Sequence, residues 1–222
     1  MSVWLAALLA PALPPPAPEA PAPRYYFILF AGQSVPFSPR TAHTWATFVK
    51  TTPGTDGKLA IEQVTISWLP AEGPVQPLRV RPVAGKNYTL EETFAKAEHT
   101  GSRMSMWGPF ETDARRYELA VEQVRTLDSG AVRFRSIDSF CGNRKVQHCV
   151  HAVTYADPNL HHLIQPVLRV GEPDTSKLAA KYVKSGAFVG TQTHDGLLPA
   201  LGLDRHPVVR REPGERIPRR WR

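Results

Sequence analysis

Tyr25–Ala31 reads YYFILFA. Every residue is apolar or aromatic, and the run is short, uncharged and without helical spacing. That composition predicts a central β-strand buried on both faces rather than a membrane span. The next patterned stretch, Ala42–Lys50 (AHTWATFVK), alternates: His43, Trp45, Thr47 and Val49 share one face, and Thr44, Ala46 and Phe48 the other. Thr51–Lys58 (TTPGTDGK) carries Pro-Gly and Asp-Gly turn signals, and Ile61–Leu69 (IEQVTISWL) is strand-like again. A hairpin between these two strands follows.

Further along, Pro70–Pro82 holds four prolines and reads as a surface excursion. Thr89–His99 (TLEETFAKAEH) opens with Thr89 and has Glu92 three residues later, the capping-box pattern of a helix start. Asp113–Asp128 is the strongest helical segment: Tyr117, Ala120, Val121, Val124 and Leu127 recur at helical spacing, and Ser129-Gly130 ends it. Trp107–Phe110 (WGPF) is read as the anchor at the entry to that helix. Ala131–Ile137 alternates as a strand, Leu163–Val170 reads as extended, and a last helix is expected from about Ser176 to Lys184. The sum is an α+β domain: an antiparallel sheet with packed helices.

At 222 residues with 42% apolar residues, the chain holds one good-sized domain with a buried core. Residues 24–204 are assigned to it. Residues 1–23 form a separate segment: Val3–Leu13 is apolar over the length of a signal-peptide core, and PPPAPEAPAP after it reads as an extended linker. Export to the periplasm or cell envelope is the expectation, with a cytoplasmic protein if that segment is no signal; no other stretch is apolar enough to span a membrane. Net charge is +7, but from Arg205 onward seven arginines stand against Glu212 and Glu215, so +5 of it belongs to residues 205–222. This reads as a basic, solvated C-terminal tail. Its only aromatic residue is Trp221, and a nucleic-acid partner is not expected.

The chemistry concentrates in Phe140–Asp157, FCGNRKVQHCVHAVTYAD, which holds both cysteines and two of the eight histidines. Three readings compete. A Cys141–Cys149 disulfide would close a short loop through Gly142 and contribute about 2–3 kcal/mol in an oxidising compartment. A zinc site could draw on Cys141, His148, Cys149, His151, His161 and His162, although their spacing matches no common structural zinc pattern. In the third reading, Val150–Tyr155 is a buried helix and Cys149 lies at its start, where the backbone N–H groups favour a thiolate. His151 would then face away from Cys149. His43 is the better base, and the neighbouring strand offers Glu62, Thr65 or Ser67 to orient it. Glu62 is preferred because a carboxylate also stabilises an imidazolium.

A histidine strand, a polar group on the next strand and a downstream Cys helix resemble the circularly permuted, NlpC-type group of papain-like proteins. The resemblance rests on AHTWATFVK around His43, IEQVTISWLP around Glu62 and HCVHAV around Cys149, and covers roughly residues 25–165. It implies a permuted papain-like arrangement in which a helix packs on an antiparallel sheet and thiol meets imidazole at their junction. Carried over by position, Cys149 is the nucleophile, His43 the base, and Glu62 or Ser67 the orienting group. The activity implied is that of a thiol hydrolase or acyltransferase, cleaving an amide or ester bond of a cell-wall peptide or lipid-type substrate without a cofactor. The backbone N–H groups around Cys149 and Val150 would hold the oxyanion. The rival expectation is a non-catalytic binding or structural domain with the disulfide. Asn87-Tyr88-Thr89 is a formal glycosylation sequon, and His194-Asp195-Gly196 reads first as a turn.

Overall fold

The computed structural model describes residues 22–54, 58–137, 144–160 and 171–218. Its centre is β1 (Arg24–Ser34), in which Phe27 through Ala31 are at most 2% exposed. The strand pairs antiparallel with β2 (His43–Pro53), which in turn pairs with β3 (Leu59–Ile66), forming the expected hairpin. After β3 the chain breaks at Ser67 and resumes as β4 (Trp68–Pro70), which pairs with β5 (Val83–Asn87). Thr89 then caps α1 (Leu90–His99) with the predicted reciprocal bonds: its hydroxyl accepts from the Glu92 N–H, and the Glu92 carboxylate accepts from the Thr89 N–H.

The other side of β1 is covered by β6 (Ser102–Thr112), again antiparallel. Asp113 caps α2 (Ala114–Asp128). Two short strands, β7 (Arg133–Phe134) and β8 (Val146–Gln147), lead into α3 (Cys149–Thr154), and α4 (Glu172–Lys184) follows. Three single turns of tighter helix, Asp195–Leu197, Pro199–Leu201 and Leu203–Arg205, precede β9 (Val208–Arg210). The larger sheet runs β3-β2-β1-β6-β9 and the smaller one β4-β5-β7-β8. Both are mostly antiparallel, with one parallel pair each, β6–β9 and β7–β8. The protein is thus an α+β fold with two mixed sheets and packed helices.

Side-chain alternation along β1 and β2 divides the interior in two. Phe27, Leu29 and Ala31 of β1 and Ala46 and Phe48 of β2 point into one core, against α2, α3 and α4. Tyr26, Ile28 and Phe30, with Trp45 and Val49, point into the other, closed by Leu90 and Phe94 of α1 and by Leu197 and Leu203. Each fully buried Leu, Ile or Phe contributes about 1.5–3 kcal/mol, so a strand buried on both faces serves two cores at once. Helix α4 is tied to the sheet by its first residue. Glu172 is fully buried, accepts a forked pair of bonds from Arg103 of β6, and accepts a third from the Ser105 hydroxyl.

The strand expected over Ala131–Ile137 shortens to Arg133–Phe134, Ile61–Leu69 breaks at Ser67, and the last helix starts at Glu172; two further segments depart more fully from the sequence reading. Trp107–Phe110 is not an anchor before a helix but the interior of β6, an eleven-residue strand buried over most of its length. Gly108 obscures its strand pattern and explains the register shift against β1. Its φ is +97°, and a Cβ there would lie 2.8 Å from the Phe27 carbonyl oxygen, so only glycine fits this close crossing. The basic end, expected to be solvated beyond Arg205, is so only in part: Arg205, Arg210, Arg216 and Pro218 are exposed, yet the segment joins the fold. There β9 extends the large sheet, Ile217 is 5% exposed, and the Glu212 carbonyl accepts from the Trp107 indole. Two of its arginines pair with local carboxylates, Arg210 with Asp195 and Arg211 with Glu215.

The small sheet has its own tight contact. An ideal Cβ on Gly85 would fall 2.0 Å from the ring of Trp68, which is 1% exposed and lies over the glycine diagonally across the β4–β5 pair. Gly85→Ala is therefore expected to lower stability by about 1–3 kcal/mol, the usual cost of overpacking a filled core. Urea denaturation followed by tryptophan fluorescence measures this, and an unchanged midpoint would show that the Trp68 ring moves aside freely.

Candidate functional site

At the start of β2 two of the sequence candidates, His43 and Ser67, meet. His43 is 7% exposed. Its ring stacks on Trp45 two residues along the same face, at 5.4 Å between centroids, and Trp45 stacks in turn on Phe30 at 5.4 Å. Phe94 of α1 closes this ladder edge-on against both Phe30 and Trp45. The Nε2 atom of His43 lies 2.9 Å from the Ser67 hydroxyl. Ser67 sits at the break between β3 and β4, and Asn87 holds it there by accepting from the Ser67 N–H at 2.8 Å while donating to the Thr65 carbonyl at 2.8 Å. The Thr93 hydroxyl of α1 lies within donating distance of both the Ser67 hydroxyl, 2.8 Å, and the Thr89 carbonyl, 2.7 Å.

His43 is thus fixed in orientation yet left incomplete. Its Nδ1 is buried and has no hydrogen-bond partner among the described residues, and the same holds for the indole N–H of Trp45. Buried polar atoms without partners are rare, because each costs about 1–3 kcal/mol. Burial, and secondarily the charge of Lys96, push the His43 pKa down to about 3, so the imidazole is neutral at physiological pH.

Both residues line a cavity of about 370 Å³ between the end of the large sheet, α1 and the loop after β4. One face of α1 contributes Thr93, Lys96, Ala97 and Thr100, the helical spacing of a single stripe. The loop contributes Pro74 and Val75, and Leu69 adds an apolar wall. Arg40 and Lys96 are the two cations of the lining, and no aspartate or glutamate is part of it.

The remaining candidates are distributed elsewhere. Glu62 pairs with Lys50 at 2.7 Å on an exposed stretch of the β2–β3 hairpin. Lys50 is seven residues along β2 from His43, about 23 Å at strand rise, so the carboxylate preferred from sequence does not orient the imidazole. Thr65 pairs with Thr47 at 2.9 Å. Ser67, the other candidate for the orienting group, is the residue that reaches His43.

Cys149 is the first residue of α3, as the sequence predicts, and is 5% exposed. It belongs to the core on the Ala46 and Phe48 face of β2, whereas His43 lies with Trp45 on the opposite face. His43 makes no hydrogen bond to it: Nε2 engages Ser67, and Nδ1 has no partner among the described residues. His148 caps α3 through Nδ1, accepting from the N–H groups of Val150 at 3.0 Å and His151 at 3.3 Å. The Val150 N–H expected to hold an oxyanion is therefore already engaged. Cys149 lines a separate cavity of about 20 Å³ with His148 and Phe134, which adjoins the larger one through Ala42, Leu69 and Val75.

Cys141, His161 and His162 lie outside the described residues, so the disulfide and most of the zinc donors do too. Among the described residues, no three His, Cys, Asp or Glu side chains gather as metal ligands, and no helix is long and apolar enough to cross a membrane. Asn87, the sequon residue, has its amide engaged on both sides in holding Ser67. Asp195 is paired with Arg210 rather than with His194.

Trp45, Thr93 and Lys96 were not singled out from sequence. The alternation of AHTWATFVK does place His43 beside Trp45, and the polar and small stripe of TLEETFAKAEHT was there to be seen. What joins the two is the packing of α1 across β2.

The neutral state of His43 carries a pH signature. The folded ring stays uncharged down to about pH 3, whereas the unfolded chain protonates near 6.5. Between those values the unfolded state binds the extra proton, so stability is complete above pH 6.5 and falls as the pH is lowered, by about 1.4 kcal/mol per pH unit from this residue. NMR of the ring Cε1–H should show no titration of His43 above pH 4, and His43→Phe should flatten the stability profile between pH 4 and 6.5. An inflection of the His43 signal near 6.5 would contradict the assignment.

No family model, curated protein or solved structure matches this chain.

Proposed function

We propose that this is a small-molecule-binding domain whose site is the cavity over His43. The observation that supports it most directly is the mostly apolar cavity of about 370 Å³ itself, lined by His43 and Trp45, whose Nδ1 and Nε1 are buried and without partners among the described residues. Ligand pockets have this composition, apolar walls with a few fixed polar groups, and this size range, about 300–1,000 Å³. At about 30 Å³ per water the space corresponds to roughly a dozen waters, so it suits a ligand on the order of a dozen non-hydrogen atoms. Burial lowers the His43 pKa to about 3, so the imidazole is neutral at physiological pH.

The reading is tested with the neutral apolar fluorophore N-phenylnaphthylamine. Saturable enhancement of its emission is expected with the intact protein, and loss of that enhancement with Ala97→Phe, which fills the cavity from α1. Binding that survives Ala97→Phe unchanged places the probe elsewhere and removes the support for this site.

A second reading keeps the permuted papain-like arrangement and its thiol acyl transfer. Its supporting observation is the position of Cys149 at the start of α3, on a small cavity adjoining the larger one. A Cys149–His43 centre requires the thiol and imidazole to approach from the two faces of β2. It demands rapid alkylation of Cys149 by iodoacetamide at mildly acidic pH and loss of that reactivity in His43→Ala. On the binding reading, His43→Ala leaves the labelling rate of Cys149 unchanged within about twofold, because the two side chains are not coupled.

A further inference from the structure

We infer that the cavity over His43 selects an amphipathic monoanion: a single apolar chain ending in a carboxylate, with the carboxylate held between Lys96 and Arg40. The inference rests on the small-molecule-binding reading above and adds to it the chemical class of the ligand.

Three features carry it. The first is the sign of the lining. Arg40 and Lys96 are its only ionised residues, no carboxylate faces them across the cavity, and neither has an acidic partner among the described residues. Lys96 instead lies 4.6 Å above the Tyr88 ring. A cavity with cations of one sign and low-dielectric walls concentrates the opposite charge.

The second feature is the supply of donors. An indole N–H can only donate, and that of Trp45 has no acceptor among the described residues. The Thr93 hydroxyl has a single proton and two acceptors in reach, Ser67 and the Thr89 carbonyl. When it donates to Ser67, the Ser67 proton goes to Nε2 and the neutral ring carries its own proton on Nδ1; when it donates to Thr89, Nε2–H donates to Ser67 and Nδ1 accepts. His43 Nδ1 and the Trp45 indole nitrogen are sealed behind the cavity wall, so the donors that meet the lone pairs of a carboxylate are the guanidinium of Arg40 and the ammonium of Lys96. Thr41 and Thr100 line the same space, but their hydroxyls already have acceptors within the protein, Ser34 and the Ser38 carbonyl for Thr41, the carbonyls of Lys96 and Ala97 for Thr100.

The third feature is the apolar remainder. Leu69, Pro70, Pro74, Val75 and Ala97 offer no polar side-chain atom, so the rest of the ligand is apolar.

The test pairs decanoate with decanol, which share a ten-carbon chain and differ in charge. Each is titrated against N-phenylnaphthylamine and checked by calorimetry. Decanoate is expected to displace the fluorophore about tenfold more tightly than decanol, an advantage that weakens as salt is raised. Lys96→Glu, at the rim of the cavity, reverses one charge and is expected to weaken decanoate about tenfold more than it weakens decanol. Circular dichroism and thermal melting show whether this variant is folded. Equal or tighter binding of decanol, or decanoate binding indifferent to Lys96→Glu, would overturn the inference while leaving the cavity reading intact. If the fluorophore binds and neither ten-carbon probe displaces it, the inference also fails. If the fluorophore itself does not bind, the cavity reading falls, and this inference with it.

Discussion

The fold depends on β1 being hydrogen-bonded along both edges and buried on both faces. Its edges are taken by β2 and β6, so its backbone groups are satisfied without water, and its side chains alternate into two separate cores. A strand in that position cannot shift by one residue, because the shift would exchange the Phe27, Leu29, Ala31 set with the Tyr26, Ile28, Phe30 set and repack both cores together. The register of β2 follows from that of β1. With it follow the faces on which His43, Thr44 and Trp45 emerge.

That parity governs the chemistry. Thr44 turns toward α4, where its hydroxyl meets that of Thr175 at 2.7 Å, while His43 turns toward α1. Cys149 arrives with α3 on the Thr44 side. The thiol and the imidazole are thus separated by which side of β2 each occupies, and a two-residue periodicity of the backbone decides it. The sheet's end is where the two sides come near each other, and there Ala42, Leu69 and Val75 form the wall between the two cavities.

The histidine site is built by several weak constraints acting in series. Asn87 holds the chain break at Ser67, Ser67 and Thr93 hold one nitrogen of the imidazole, and the Phe30–Trp45 stack holds its plane. Each is an ordinary hydrogen bond or ring contact, worth about 0.5–1.5 kcal/mol. Together they fix the plane of the imidazole and leave its Nδ1 buried without a partner among the described residues. A wall held in one arrangement lowers the ordering cost of binding.

Much of the local structure was legible in the sequence for identifiable reasons. YYFILFA has no polar face and can only be central; Thr89 with Glu92 specifies a helix start; Asp113–Asp128 repeats at helical spacing; and Cys149 opens a helix where the polar loop ends. β6 escaped because Gly108-Pro109 interrupts its pattern, and glycine is required there by a backbone crossing visible only once β1 lies beside it. The C-terminal segment read as solvated because charge dominates its composition, whereas the carboxylates that pair with two of its arginines, Asp195 and Glu215, are assigned by packing. The same limit applies to the site. The sequence determined that His43 shares a face with Trp45 and that Thr93, Lys96, Ala97 and Thr100 form one stripe, since these follow from backbone periods of 2 and 3.6 residues. Only the tertiary structure decided that the stripe lies over that face, that Ser67 rather than Glu62 reaches the imidazole, and that Cys149 lies across the sheet. Periodicity orders residues within an element, but which elements meet is set by the burial of two cores against one strand.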